Sequence, residues 1–176
     1  MTDQEIVEGC IAKDAKAQRF LFEKYAGKMM GICLRYMKNR EEAQDVLQEG
    51  FIKVYQKMSQ YKNTGPLGGW MRMVMINTAL IQLRKNKKWE NTIDVSTSYD
   101  LSTDDYTVLD KLSADELMSV INSIPEGYRT VFNLFVIEGY AHKEIAKMLD
   151  VTESTSKTQF RKARLYLKKI LDKNGE

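Results

Sequence analysis

Apolar residues recur at steps of three and four through most of the first 88 positions, which is the period of an amphipathic helix. Ile6, Val7 and Ile11 mark a short first helix that Asp3 can cap. Phe20, Leu21, Tyr25, Met29, Ile32, Cys33 and Tyr36 mark a longer second helix, with Asp14 as its cap. Asn39, followed three residues later by Glu42, has the form of a capping box. The helix it opens is predicted to run to about Met58, with Ala43, Val46, Leu47, Gly50, Phe51, Val54, Tyr55 and Met58 turned to the core. Glycine and proline then predict a loop over 59–69. A strongly apolar helix is predicted over 70–85, with Trp70 in the core and bases at its end.

The pattern lapses over 91–110, where Ser, Thr and Asp dominate without a period, and this stretch reads as a flexible acidic linker. Helical order resumes at Ser113, and Pro125 suits the first turn of a further helix through 128–137. The last third is the most regular part of the chain. Ile145, Ala146 and Leu149 keep helical spacing, Asp150, Val151 and Thr152 interrupt it, and Thr152 can cap a new helix. On that helix Ser156, Phe160, Ala163, Leu167 and Ile170 share one face. Lys157, Arg161, Lys162, Arg164, Lys168 and Lys169 occupy the rest, with no acid between Ser154 and Leu171. This is a helix-turn-helix with a basic second helix, a geometry suited to the DNA major groove. The predicted fold class is all-α: two small helical domains at 1–90 and 112–176, joined by a flexible linker at 91–111, the second domain containing the helix-turn-helix.

Composition sharpens this only in places. A net charge of +3, from 27 basic and 24 acidic residues, is too small to argue for nucleic acid, but its distribution does so. Arg84, Lys85, Lys87, Lys88 and the last helix are basic, and the segment between them is acidic. Cys10 and Cys33 read as free thiols of a reducing cytoplasm, with a disulfide as the alternative. There is no secretory signal and no span long and apolar enough for a bilayer, so a cytoplasmic protein without membrane insertion is expected. No phosphate loop, cysteine pair or Ser/His/Asp set is present, and His142 is the single histidine. The expectation is a protein that is not an enzyme, with no catalytic residue, metal site or cofactor. His142 reads as a surface or phosphate-proximal residue.

The helix over 39–58 carries a second stripe: Asp45, Gln48, Glu49, Ile52 and Gln56. It is either a solvated face or a protein-binding face with one apolar anchor. The residues DVLQEGFIKVYQKM at 45–58 resemble the core-polymerase-binding helix of sigma region 2. GWMRMVMINTALIQLRK at 69–85 is similar to the promoter-melting helix that follows it, and 124–164 resembles sigma region 4. Outside the linker, the chain resembles an extracytoplasmic-function (ECF) sigma factor of the sigma-70 family.

The resemblance implies partners and site residues. Asp45, Gln48, Glu49, Ile52 and Gln56 would dock on the β′ clamp helices of bacterial core RNA polymerase, and the second domain would meet the β flap. Promoter DNA would be melted without ATP, with a base of the minus-ten element flipped into a pocket near 59–69. There Tyr61 and Lys62 could stack and contact phosphate, Asn77 could hydrogen-bond a base or the backbone, and Arg84 and Lys85 would touch phosphates. Tyr61 has ordinary loop packing as its other reading. At the minus-thirty-five element Ser154, Thr155, Lys157, Thr158 and Arg161 would face base edges, Thr155 and its helix end could hold phosphate, and Lys162 and Arg164 would steer and anchor. An anti-sigma factor would be the regulatory partner. Three positions depart from the family: Met73 stands where a base is usual, Ile81 where an acid is frequent, and Ala141 where a Ser or Thr cap is common. A stand-alone duplex-binding regulator and a protein-only interaction module remain the competing functions.

Overall fold

The computed structural model describes residues 1–85 and 111–174, which are helical with no strand among them. The linker expected at 91–111 lies, but for Lys111, outside the described residues, as do Lys87 and Lys88. The chain divides into two compact units, 1–86 and 87–176.

In the first unit α1 (Asp3–Ile11), α2 (Ala15–Tyr36), α3 (Arg40–Lys57) and α4 (Leu67–Lys85) pack together, with one 3₁₀ turn at Met58–Gln60. The starts of α1, α2 and α3 each have a capping reason. Thr2, not Asp3, caps α1: its hydroxyl accepts from Glu5 N–H, and the Glu5 carboxylate accepts from Thr2 N–H. Asp3 instead reaches Lys24 at 2.8 Å, tying α1 to α2. Asp14 caps α2 as expected. Asn39 Oδ1 accepts from Glu42 N–H at 2.8 Å, but Glu42 reaches back to Lys38 N–H, not to Asn39, so the box is half formed.

Burial follows the helical period. Leu21, Met29, Ile32 and Tyr36 of α2 meet Val46, Phe51 and Val54 of α3 and Met71, Met75, Ile76 and Leu83 of α4 in one core. Phe20, expected inside, is exposed, one residue away from the buried Leu21. Tyr55 is half-buried, with its hydroxyl donating to the Gln18 carbonyl at 3.0 Å.

The loop after α3 is shorter than predicted. It spans 61–66, and α4 begins at Leu67, not at Trp70. Gly68 and Gly69 are not helix breakers here. A β-carbon on Gly68 would stand 3.0 Å from the Tyr25 ring, so glycine at this position lets the start of α4 lie against α2.

In the second unit α5 (Ala114–Ser123) opens on a complete capping box between Ser113 and Glu116. Pro125 sits at the capping position before α6 (Glu126–Phe132), one place earlier than the first turn. The predicted continuous helix through 137 instead widens into a π-helical turn at Asn133–Ile137, with Glu138 N–H donating to the Asn133 carbonyl at 2.9 Å. Gly139, at φ +79°, then reverses the chain in a conformation that favours glycine. α7 (His142–Leu149) ends on Asp150 in the left-handed region, and α8 (Glu153–Asn174) starts three residues later. α8 packs on α6 and α7 through Ser156, Phe160, Ala163 and Leu167. Ile170 is only half-buried, and Gln159, unnoticed in the pattern, is buried.

Ala141 occupies the cap of α7, and Glu144 accepts from its N–H at 2.8 Å, yet the alanine has no side-chain acceptor to return. Ala141→Ser should therefore raise the stability of this unit by about 1 kcal/mol, the usual worth of such a cap. A thermal melt without a gain would mean that the added hydroxyl does not reach the Glu144 N–H.

Candidate functional site

α3 holds its second stripe away from the core. Asp45, Gln48, Ile52 and Gln56 are exposed, and Ile52 keeps 55% of its surface open. Glu49 is half-buried and pairs with Lys53 one turn on, at 2.8 Å. The Lys53 hydrogen bond lowers the pKa of the Glu49 carboxyl, partial burial opposes it, and the charges of Lys53 and Lys85 add to the lowering. The stripe is thus an anionic and amide surface around one apolar side chain, the composition of an interface core with a polar surround.

The loop after α3 forms a second feature. The Tyr61 hydroxyl donates to the Gly65 carbonyl, which closes the loop on itself. Its ring lies 5.6 Å from that of Trp70, tilted at 46°. Trp70, expected in the core, is half-buried and lines a cleft of about 380 Å³ with Tyr61, Lys62, Thr64, Pro66 and Met73. Two aromatic rings with a lysine at the edge suit a stacked base, worth about 1–3 kcal/mol where it occurs.

α4 continues from this cleft. Asn77 and Arg84 are exposed on the face that also holds Trp70, and Lys85 lies round the side. Tyr61 and Lys62 thus join the α4 residues in one region of the first unit.

On α8 the residues expected to meet DNA divide. Ser154 and Lys157 are exposed, and Thr158 and Arg161, half-buried, lie on the same side, opposite the packed face. Lys157 pairs with Glu153 at 3.3 Å on the surface, an exposed contact that is worth little to the fold. Lys162 leans over the Tyr128 ring at 5.7 Å and Arg164 over the Phe160 ring at 5.8 Å, so these two flank the face. Thr155 is less available to phosphate than expected, because both its N–H and its hydroxyl bond the capping Thr152 hydroxyl.

His142 is a structural residue of this motif, half-buried where a surface or phosphate-proximal position was expected. Its ring stacks on Phe135 at 4.4 Å and 13°, and Nδ1 lies 2.8 Å from the hydroxyl of the buried Ser156. The π-helical turn carries Phe135, so the imidazole joins that turn, α7 and α8. Burial lowers the His142 pKa from its ordinary 6.5, Lys157 lowers it further, and Glu153 opposes. The unfolded chain therefore takes up a proton that the folded one resists. Stability of this unit should fall as pH drops below about 6.5, down to the lowered folded pKa. A His142→Tyr chain should lack that limb in melts recorded between pH 7 and 5. An unchanged profile in the variant would remove the histidine as its cause.

Among the described residues no group of His, Cys, Asp and Glu could hold a metal ion, and no helix is long and apolar enough to cross a membrane. Cys10 and Cys33 are free and buried, and burial raises the pKa of both thiols, Cys33 to about 12.

Comparison with known proteins covers both units. Residues 21–89 match the family Sigma-70 region 2, and residues 114–167 match Sigma-70, region 4. The chain is 28% identical over 175 residues to the ECF RNA polymerase sigma-E factor of Haemophilus influenzae, covering 93% of this chain and 92% of that one. It is likewise 28% identical over 180 residues to the RNA polymerase sigma-H factor of Pseudomonas aeruginosa, covering 96% and 93%. The fold is similar to that of the sigma factor RpoE solved in complex with the anti-sigma factor NepR from Bartonella quintana, at TM-score 0.52 and 15% identity over 88% of this chain and 96% of that one. CnrH, solved with the cytosolic domain of CnrY, is similar at TM-score 0.50 and 15% identity over 97% of each chain.

Proposed function

Because this chain belongs to the sigma-70 family, in its extracytoplasmic-function class, and so serves transcription initiation, we propose that it binds core RNA polymerase and directs it to promoters through two faces. Residues 1–90 form the polymerase-binding and minus-ten domain, 91–111 the linker, and 112–176 the minus-thirty-five domain. Asp45, Gln48, Glu49, Ile52 and Gln56 of α3 dock on the β′ clamp helices. Tyr61 and Trp70 receive an unstacked base, with Lys62, Asn77, Arg84 and Lys85 on the neighbouring strand. Opening the duplex costs a few kcal/mol per extruded base, which stacking in the cleft offsets.

The observation that carries this reading is the pairing, in one chain, of the exposed α3 stripe with the basic outer face of α8, which has no acid between Ser154 and Leu171. A stand-alone regulator has no use for the first, and a protein-only module has none for the second. In α8, Ser154, Lys157, Thr158 and Arg161 read the minus-thirty-five element in the major groove, and Lys162 and Arg164 anchor phosphates from the flanks. Core polymerase, through its clamp helices and β flap, and promoter DNA are the partners. An anti-sigma factor that covers these faces is a further one, consistent with the complexes in which the similar sigma folds were solved.

The test is competition with a housekeeping sigma factor for sigma-free core polymerase, followed by promoter-directed transcription. Displacement and initiation support the reading; tight duplex binding without core binding would replace it with the stand-alone regulator. Replacing Lys157 and Arg161 together by alanine should weaken promoter binding and flatten its salt dependence, by about one unit of slope for each phosphate that is no longer neutralised. Unaltered promoter affinity together with an unaltered salt slope would remove both from the DNA interface.

A further inference from the structure

We propose that His142 is a positioning residue for promoter recognition: with Ser156 it aims the reading end of α8, so that minus-thirty-five selectivity depends on a bond that touches no DNA. The inference rests on the promoter-reading role of α8 and names what holds that helix at its working angle.

The start of α8 has no apolar anchor. Of residues 153–159 only Ser156 and Gln159 are buried, and both are polar. The first buried apolar side chain of the helix is Phe160, followed by Ala163 and Leu167. Ser154, Lys157 and Thr158 therefore stand on a stretch that buries no hydrophobic side chain of its own. Thr152 caps it, but the bonds of Thr152 to Thr155 lie within the same helix end and set no angle to α7. A bond that ties this stretch to the start of α7 comes from His142. Its Nδ1 lies 2.8 Å from the hydroxyl of Ser156, a residue that is 0% exposed. Either tautomer makes this bond, since a serine can donate or accept. The imidazole is itself fixed from behind. It stacks on Phe135 of the π-helical turn at 4.4 Å and 13°, and its centroid lies 5.6 Å from that of Phe160.

A helix whose apolar grip begins at Phe160 acts as a lever. A rise of about 1.5 Å per residue puts Ser156 roughly 6 Å and Ser154 roughly 9 Å from that pivot. A slip of about 1 Å at Ser156 thus becomes about 1.5 Å at Ser154, which carries a base-edge hydrogen bond of about 2.9 Å out of range. Replacing the serine or the histidine alone takes from the other its partner in the seam. His142→Phe together with Ser156→Ala keeps the ring stack and strands no polar group, an exchange that is close to neutral for stability. It supplies no directed bond. Stability and aim are thereby separable.

The experiment uses the full chain, free and as holoenzyme with core polymerase. A promoter duplex is selected by the parent holoenzyme from a random pool. Its affinity is compared with that of the same duplex carrying a scrambled minus-thirty-five element. That ratio should fall about fivefold in Ser156→Ala and in His142→Phe, the equivalent of ~1 kcal/mol for one directed hydrogen bond. Hydrogen exchange of the free single variants should quicken over 155–158 while the amides of 160–167 stay protected, which verifies that the unit is folded. The double variant should regain the parent's melting temperature but not its ratio. A ratio restored together with the melting temperature would make the pair a packing device and overturn the inference, as would single variants that keep the parent's ratio. Exchange quickened alike throughout α6, α7 and α8 would do the same. A parent holoenzyme indifferent to the scrambled element would bring down the promoter reading of α8, and the inference with it.

Discussion

A Glu49→Lys chain should compete for core RNA polymerase at least tenfold less well than the parent, at unchanged thermal stability. Glu49 sits within the exposed stripe of α3, beside Ile52, and its carboxylate is held ionised mainly by Lys53 at 2.8 Å. Charge reversal removes that pair and adds an ammonium next to Lys53 and in the field of Lys85. Within the free protein the change is small, because Glu49 lies at the surface, where substitutions stay within about 0.5 kcal/mol. Against a partner the arithmetic differs. A face that presents carboxylates and amides is complementary to a basic surface, and a like charge set there costs several kcal/mol where water is excluded. Tenfold corresponds to about 1.4 kcal/mol, the lower end of that range. Competition against a fixed housekeeping sigma factor measures it, with a melt of the same preparation beside it. Equal competition by a well-folded variant would remove α3 from the polymerase interface. A shared loss of binding and melting temperature would make Glu49 a folding residue instead.

Most of the fold was legible because burial follows the helical period. The stripes of α2, α3 and α8 were read with few slips, and each slip has a local cause. Phe20 and Leu21 are adjacent, so both look apolar in a window, and only packing decides which one enters. Gly68 and Gly69 read as breakers, since the requirement at Gly68, the approach of the Tyr25 ring, comes from a residue on another helix. α4 carries apolar residues on its exposed side as well as in the core and so has no net amphipathic direction, and Trp70 could be put inside as easily as in the cleft. The π-helical turn was not read from spacing, because its five residues are too few to display the shift of phase that one inserted residue makes. The partners of His142 lie 7 residues before it and 14 after it, a relation that periodicity does not express. Of the candidate site, the exposed faces were legible as the complement of the core. The Tyr61–Trp70 cleft was not, since it depends on where the loop closes.

Gly50→Val should be among the most destabilising single substitutions in the first unit, at about 2 kcal/mol. Gly50 is buried where α3 crosses α4, and a β-carbon there would lie 2.2 Å from the Met75 Sδ and 2.9 Å from its Cε. Met75 is itself fully buried, so its thioether has no solvent to retreat into. Valine adds two further methyl groups to the same space. Overpacking of this kind typically costs about 1–3 kcal/mol, and the better helix propensity of valine returns less than about 0.5. For a domain of this size the net loss lowers the melting temperature by roughly 8–16 °C. Gly9→Ala is an instructive contrast. Its β-carbon would stand 2.4 Å from that of Ala17, which has no rotamer to yield, so there the helices themselves must part, although Ile6 and Cys10 hold α1 in the core. At Gly50 both helices are held by the remainder of the core. Shortening Met75 should therefore rescue the valine: Gly50→Val with Met75→Ala should lose less than the sum of the two single changes, by at least ~0.5 kcal/mol on the scale of coupled neighbours. Strict additivity would mean that the helices part at some other point. Because the stripe proposed to meet polymerase lies on the opposite side of α3, the single valine variant should also lose competition for core in step with its stability, unlike Glu49→Lys, which separates the two.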